Sequence, residues 1–250
     1  MLNDILKDKN VFIFDLDGTL IDSVGIWNKV DQKLLRDLGG VEVLEDVINV
    51  NRDHILGSST SGTPYEDYVQ YLKEKYKLDK PIEELYSYRR AIANTFLETE
   101  VRVQPYAKEL IEVLKELGMT LILATTTTKR NINTYINDNE DTKSLDIANS
   151  FSLILSVEDV THSKPNPEIF NKVIEMSSID KNKAVVIEDS LVGVKAAKAA
   201  GLDAIAVREK HSNETTEELK DLADAYVDSL KEIYNIYMKN VVKKAKNPQI

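Results

Sequence analysis

Short apolar runs recur along this chain, and each ends at polar residues that can carry chemistry. The first run is Val11 to Phe14, which is followed by the segment DLDGT at residues 15–19. A continuous run of this length is typical of a strand that is buried on both faces of a sheet. Comparable runs follow at Leu121 to Ala124, Phe151 to Leu155, Ala184 to Ile187 and Ala204 to Val207. The chain therefore contains candidate strands for one buried sheet.

Helical patterns lie between these runs. Apolar residues at helical spacing occupy Ala107 to Leu117, and Gly118 follows as the expected stop. Another helix is predicted to begin at Pro167, with Ile169 and Phe170 on its apolar side. Strands that alternate with helices indicate a parallel sheet covered by helices on both faces. We therefore predict an α/β fold with a Rossmann-like core.

Residues 23–100 break this rhythm. Apolar residues recur at helical spacing from Trp27 to Leu38 and again from Tyr65 to Tyr76, without a convincing buried strand. We predict that residues 1–22 and 101–250 form the α/β core domain and that 23–100 form an inserted, all-helical domain.

Three further segments have plain structural interpretations. Trp27 and the tyrosines of the insert are interpreted as its core, and Arg89 and Arg90 as part of a solvated helix face. The polar stretch 137–149 is interpreted as a surface loop with some helix.

Composition excludes several classes of protein. The formal net charge of −10 repels polyanions. We interpret the basic tail as a solvated helix end, so a nucleic-acid partner is not expected; its lysines are Lys239, Lys243, Lys244 and Lys246. No apolar stretch approaches the roughly 20 residues of a membrane helix. The absence of cysteine excludes disulfides and thiolate nucleophiles. We expect a cytoplasmic protein that is a monomer or a weak homodimer.

Four groups of polar side chains follow the predicted strands. They are Asp15 with Asp17, Thr125 with Thr126, Lys164, and Glu188 with Asp189. Taken singly, each has an ordinary explanation as a helix cap, a turn former or a surface charge. Ligands of open α/β sheets bind beyond the carboxyl ends of the strands, where all four groups are predicted to meet.

The carboxylates of this predicted cluster indicate a metal site. Three carboxylates crowded at one sheet edge would repel one another and raise each other's pKa unless a cation neutralised them. Mg²⁺ prefers oxygen ligands and keeps several waters, which leaves positions for a substrate phosphate. Lys164 and the Thr125 hydroxyl would then donate to phosphate oxygens.

The same residues resemble a known family. DLDGT at residues 15–19, the threonine after LILA, the lysine of HSKPNPEIF and the segment EDS at 188–190 look like the four ordered motifs of the haloacid dehalogenase superfamily. The helical insert after the first motif resembles the cap of its phosphoglycolate phosphatase and β-phosphoglucomutase-like subgroup. Residues 56–59 (LGSS) resemble the glycine-containing cap loop of those relatives.

The resemblance implies a role for each residue. Asp15 would form an aspartyl-phosphate, and Asp17 would act as general acid and base while its backbone carbonyl reaches the metal. Asp15, Asp17, Glu188 and Asp189 would hold Mg²⁺. Gly18, Thr125, the Thr126 amide and Lys164 would bind phosphate. After Thr126 the sequence departs from many relatives, and Thr128 or Lys129 are candidates for the missing phosphate contacts.

The implied activity is hydrolysis of a small phosphomonoester, such as a sugar phosphate, phosphoglycolate or a nucleotide. Two alternatives stay open at this point. A phosphomutase is disfavoured because Ser58, Ser59 and Thr60 stand where mutase relatives carry an arginine for a second phosphate. A non-catalytic phosphoacceptor or binding module would also combine aspartates, a threonine and a lysine at a sheet edge.

Overall fold

The computed structural model describes residues 2–58, 64–211 and 216–246. Contacts between residues divide the chain into two compact units. The first, here called the core unit, comprises Met1–Asp22 and Arg102–Ile250, and the second, called the helical unit, comprises Ser23–Val101.

Within the described ranges the chain forms the following elements. The helices are α1 (Leu2–Leu6), α2 (Ile26–Gly39), α3 (Glu45–Ser58), α4 (Pro64–Tyr76), α5 (Ile82–Thr99), α6 (Ala107–Glu116), α7 (Lys129–Asn137), α8 (Ile147–Ser150), α9 (Glu168–Ser177), α10 (Leu191–Ala199), α11 (Thr216–Leu222) and α12 (Leu230–Lys246). The strands are β1 (Val11–Phe14), β2 (Ile21–Asp22), β3 (Arg102–Val103), β4 (Thr120–Ala124), β5 (Leu153–Leu155), β6 (Ala184–Glu188), β7 (Asp203–Val207) and β8 (Ala225–Val227).

The core unit is built on one parallel sheet of six strands in the order β5-β4-β1-β6-β7-β8. In register, Val11 of β1 lies opposite Thr120 of β4 and Ala184 of β6. These three central strands therefore end close together, and the polar residues that follow them emerge at one edge. The predicted α/β class and Rossmann-like sheet are confirmed.

Helices cover both faces of this sheet. Successive side chains of each strand point to opposite faces, so each strand packs against helices on both sides. Val11 and Ile13 pack in one apolar cluster with Phe170 of α9 and Val194 of α10. Phe12 points the other way, and its ring lies 5.5 Å from that of Tyr237 in α12, in an edge-to-face arrangement. Burial on both faces explains why the strands read as continuous apolar runs.

Glycine or proline lies at three helix boundaries, and those at Gly118 and Pro167 agree with the prediction. Helix α2 ends at two consecutive glycines, Gly39 and Gly40, and Gly40 adopts the left-handed conformation that terminates helices. Gly118, with φ of +75°, follows the end of α6. Pro167 occupies the N-cap of α9. Local sequence signals therefore mark these three helix boundaries.

The helical unit contains α2 to α5, and none of its described residues belongs to a strand. Apolar side chains of the four helices are completely or almost completely buried, including Leu34, Leu35, Tyr68, Leu72, Leu85 and Leu97. The interpretation of Arg89 as solvated was wrong, because its guanidinium bonds to the buried Asp31 (Nε to Oδ1, 2.7 Å) and its side chain is 13% exposed. Arg90 is exposed.

The stretch 137–149 is more ordered and more buried than a surface loop. Asn139 and Thr142 have no exposed surface, and Leu145 and Ile147 lie in the core. The Thr142 hydroxyl donates to the backbone carbonyl of Tyr135 at 2.8 Å. The sequence pattern did not indicate this packing, because several of the buried residues are polar. Such residues can be buried when their side chains bond to backbone groups.

No helix among the described residues is long and apolar enough to cross a membrane.

Candidate active site

The turn after β1 places two aspartates at the edge of the sheet. The Asp15 amide donates to the carbonyl of Ile187 at 3.0 Å, which ties the turn to neighbouring β6. Gly18 then takes a φ of +90°, a conformation that costs glycine little, and its amide donates to the Ile21 carbonyl at 2.8 Å. A side chain at Gly18 would collide with Asp189, since a Cβ atom there would lie 2.1 Å from Asp189 Oδ2.

Lys164 connects the first and last motifs. Its ammonium donates to Asp15 Oδ1 at 2.7 Å, to Glu188 Oε1 at 2.8 Å and to the Ala124 carbonyl at 3.0 Å. An ammonium has three donors, so all of them are used. The Lys164 side chain is 2% exposed and those of Asp15 and Glu188 are 7% and 1% exposed. Residues that are distant in sequence therefore meet around one buried cation.

The electrostatics of this cluster favour an additional cation. Burial raises the pKa of Asp15 to about 7, with Lys164 opposing the shift and the charges of Glu188 and Asp17 adding to it. Burial also raises the pKa of Asp189, and the nearby Glu188 and Asp15 raise it further. The pKa of Lys164 is raised because Asp15 and Glu188 outweigh the effect of its burial. Asp15 and Glu188 thus share one lysine, and the carboxylate of Asp189 lies beside them.

Hydrogen bonds from the first and fourth motifs orient the carboxylates of Asp189 and Glu188. Thr19 donates through its hydroxyl to Asp189 Oδ1 at 2.9 Å. Ser190 caps α10, and both its amide and its hydroxyl donate to Glu188 Oε2, at 2.8 and 2.9 Å. Gly193 leaves room for that carboxylate, because a Cβ atom there would lie 1.7 Å from Glu188 Oε1.

The second motif follows β4. Thr125 is completely buried, and its hydroxyl oxygen accepts from the Thr127 amide at 3.1 Å, which leaves the hydroxyl proton available as a donor. Thr126 is exposed. Thr128 caps α7 by accepting from Asn131, and Lys129 pairs with Asp159 at 2.6 Å. The last two residues therefore have local structural roles.

Three site residues escaped the sequence reasoning. Tyr135 of α7 is buried, and its hydroxyl donates to Asp17 Oδ1 at 3.2 Å. No local pattern marks Tyr135, which reads as an apolar helix position. Thr19 and Ser190 lie within the first and fourth motifs, and this position in the sequence is the signal that could have identified them. Their hydroxyls bond to Asp189 and Glu188.

The segment 56–59, which resembles the cap loop of the relatives, is only partly described by the structure. Residues 56–58 close α3, while Ser59 and Thr60 lie outside the described residues.

Comparison with known proteins identifies the family. The model of the haloacid dehalogenase-like hydrolases matches residues 12–207, a span that contains all four motifs. The chain belongs to the haloacid dehalogenase-like hydrolases. The sequence-based assignment to this superfamily is thereby confirmed.

Relatives of this hydrolase include named phosphatases. The phosphorylated carbohydrates phosphatase of Thermotoga maritima is 27% identical over 193 residues, covering 77% of this chain and 82% of the relative. Hexitol phosphatase B of Escherichia coli K12 is 25% identical over 222 residues, covering 88% and 92%. The bifunctional riboflavin kinase/FMN phosphatase of Arabidopsis thaliana is 31% identical over 211 residues, which are 83% of this chain; the chain spans half the length of that relative.

Solved structures share the fold of this hydrolase. A crystal structure from Thermotoga maritima matches with a TM-score of 0.75 and 26% identity, covering 92% of this chain and 99% of the other. CbbY of Rhodobacter sphaeroides, crystallised with phosphate, matches with a TM-score of 0.67 and 24% identity over 90% and 96%.

Proposed function

We propose that this hydrolase is a Mg²⁺-dependent phosphatase that cleaves a small phosphomonoester through an aspartyl-phosphate on Asp15. The observation that carries the proposal is the placement of Lys164 between Asp15 and Glu188, at 2.7 and 2.8 Å. A buried lysine beside a carboxylate nucleophile supplies positive charge where the transferred phosphoryl group gains negative charge.

The donor set fits magnesium. Buried carboxylate oxygens of Asp15, Glu188 and Asp189 gather at one edge, and the pKa values of Asp15 and Asp189 are raised by burial and mutual repulsion. Hard oxygen donors without histidine or cysteine suit Mg²⁺. We assign Asp15, Asp17, Glu188 and Asp189 to the metal. When bound, the ion would neutralise the carboxylates and the charge of the substrate phosphate.

The chain's own residues then divide the chemistry. A carboxylate oxygen of Asp15 attacks phosphorus as the bond to the ester oxygen breaks, and Asp17 gives that leaving oxygen a proton. Asp17 next removes a proton from water, which attacks phosphorus and releases Asp15 and inorganic phosphate. Thr125 and the Thr126 amide bind the phosphate oxygens, and Lys164 does so by exchanging one of its three acceptors for a phosphate oxygen. The bond from Tyr135 to Asp17 supports the orientation of this acid and base.

We propose small phosphorylated metabolites as substrates. The support is that similar proteins are named for carbohydrate phosphates, hexitol phosphates and FMN. The helical unit is proposed to serve as the cap of the family, which excludes water from the nucleophile and selects the leaving group.

Hydrolysis of p-nitrophenyl phosphate with and without Mg²⁺ tests the proposal. We expect metal-dependent release of phosphate that Asp15→Asn abolishes while circular dichroism shows a folded protein. Asp138→Asn is the matched control, because Asp138 is exposed and loses the same charge. Full turnover by Asp15→Asn would refute the nucleophile. A phosphorylated protein that never releases phosphate would indicate the phosphoacceptor module instead, and activation by a bisphosphorylated sugar would indicate the mutase.

A further inference from the structure

The helical unit contains a buried polar cluster that the proposed hydrolysis does not use. Its members come from all four helices of the unit and are Asp31, Asn49, Arg52, Tyr68 and Arg89, here called the Asp31 cluster. Asp31 has no exposed surface and Arg52 is 7% exposed. Charges buried among helices are costly unless each is paired and hydrogen-bonded.

Asp31 is already satisfied by two members of the cluster. Arg89 donates to both of its oxygens, through Nε at 2.7 Å and Nη2 at 3.4 Å. The Tyr68 hydroxyl donates to Oδ2 at 3.0 Å. Burial and the charge of Asp31 raise the pKa of Tyr68, so the hydroxyl keeps its proton for this bond.

Arg52 is left incompletely paired. Its Nη2 donates to Asn49 Oδ1 at 2.6 Å, but Nη1 has no hydrogen-bond partner and lies 4.0 Å from Asp31 Oδ2. Among the residues that the structure describes, both guanidinium groups of the cluster face the same carboxylate, that of Asp31. An unpaired N–H on a buried cation calls for an anionic acceptor.

A second unpaired atom lies on the same helix face. Asn28 precedes Asp31 by three positions in α2, which places the two side chains as neighbours. Asn28 is 3% exposed, and its buried Oδ1 has no hydrogen-bond partner. A hydrogen-bond donor, such as a hydroxyl, would satisfy this oxygen. A neutral water could accept from Arg52 Nη1, but it would not supply the negative charge that strengthens a bond to a guanidinium.

We propose that the Asp31 cluster binds a small hydroxylated anion, with an anionic oxygen on Arg52 Nη1 and a hydroxyl on Asn28 Oδ1. A hydroxycarboxylate and a hydroxylated phosphate ester share this chemistry. The inference uses residues of the helical unit alone and does not depend on the proposed phosphatase activity.

Trp27 provides a local reporter of binding. It is the only tryptophan of the chain, and the Arg89 guanidinium carbon lies 5.3 Å from the centre of its ring. A charge that arrives beside Arg52 changes the field at this ring. Tryptophan fluorescence of the full, metal-free chain is titrated with glycolate in one arm and glycerol phosphate in the other. We expect a saturable change in at least one arm, with a matching rise in the unfolding midpoint.

Three variants locate the binding. Arg52→Met removes the donor and the charge, and should weaken binding about tenfold or more, the equivalent of losing one charge-assisted bond. Arg52→Lys keeps the charge and should bind between wild type and Arg52→Met. Arg36→Met is the matched control: it loses the same charge from the helix that carries Trp27, but the Arg36 side chain is 54% exposed and pairs with Glu42. It should bind like the wild type.

Two results would overturn the proposal. One is a wild-type titration in which neither probe changes the fluorescence, which would show that these anions do not bind the Asp31 cluster. The other is equal affinity in Arg52→Met, or in Arg52→Lys if the methionine variant does not fold, since the anion would then bind elsewhere. The wild-type arm needs no variant, so the test stands even if both substitutions unfold the protein.

Discussion

Lys164 and Asp15 are separated by 149 positions, yet the lysine ammonium donates to Asp15 Oδ1 at 2.7 Å within a buried cluster. The same ammonium also donates to Glu188, so this single side chain offsets the repulsion between two carboxylates that are distant in sequence. The pair therefore contributes both to the proposed catalysis and to folding.

Replacing Lys164 should damage activity and stability together. We expect Lys164→Met to lower kcat about 10²- to 10³-fold, as for loss of a donor to developing charge. Its unfolding free energy in the absence of metal should fall by about 3 kcal/mol, because buried carboxylates lose their cation. Steady-state kinetics and urea unfolding measure the two effects. Lys195→Met, at an exposed position, is the control, and a Lys164→Met enzyme with normal kcat would contradict the site.

Gly18 and Gly118 form a matched pair for testing close packing at the site. Both have positive φ, of +90° and +75°, but a Cβ on Gly18 would meet Asp189 Oδ2 at 2.1 Å, whereas one on Gly118 would meet nothing within 4 Å. Gly118→Ala should cost about 1 kcal/mol of backbone strain and leave kcat unchanged. Gly18→Ala should bear the same strain and also displace Asp189, so activity should fall at least about tenfold. Equal activity in the two variants would refute the argument from crowding.

Tyr135 is expected to act as a positioning residue through Asp17. Removing its hydroxyl in Tyr135→Phe takes away the 3.2 Å bond to Asp17 Oδ1 without changing the shape of the core. We expect kcat to fall about three- to tenfold, corresponding to a bond of roughly 1 kcal/mol, while KM changes little. Tyr226→Phe, on β8, serves as the comparison. A change in KM alone would place the effect on substrate binding.

Asp159 should give a pH-dependent contribution to stability. Burial works against its ionisation, but hydrogen bonds from Lys129 and from the Ser156 amide and hydroxyl outweigh it and lower the pKa to about 2. A depressed folded-state pKa stabilises the protein above the unfolded value near 3.8, and the benefit disappears as pH falls through 2. Because the Lys129 side chain is 56% exposed, we expect only about 1 kcal/mol at pH 7.

The measurement for Asp159 is the difference in unfolding free energy between wild type and Asp159→Asn from pH 7 to pH 3. The difference should be constant down to about pH 5 and about half its size at pH 3. A difference that grows on acidification would show that the sign of the argument is wrong.

The sequence alone determined the class of fold and the chemistry at the strand ends. Strands buried on both faces must be apolar throughout, so the runs Val11 to Phe14 and Ala184 to Ile187 could be recognised as strands. The aspartates and the glutamate that follow them could be recognised as site residues. Edge strand β8 was not predicted, because its three residues, Ala225–Val227, do not form an extended apolar run.

Only the tertiary structure decided the individual hydrogen bonds and ion pairs between distant segments. In the sequence Tyr135 reads as an ordinary helix residue, but in the structure it bonds to Asp17. The sequence pattern indicates that Arg89 is solvated, but its guanidinium bonds to Asp31 of α2. Hydrophobic periodicity records which face of an element is buried, a property of neighbours in sequence. Hydrogen bonds and ion pairs between distant segments depend on distances that exist only once those faces have packed, and no local pattern encodes them.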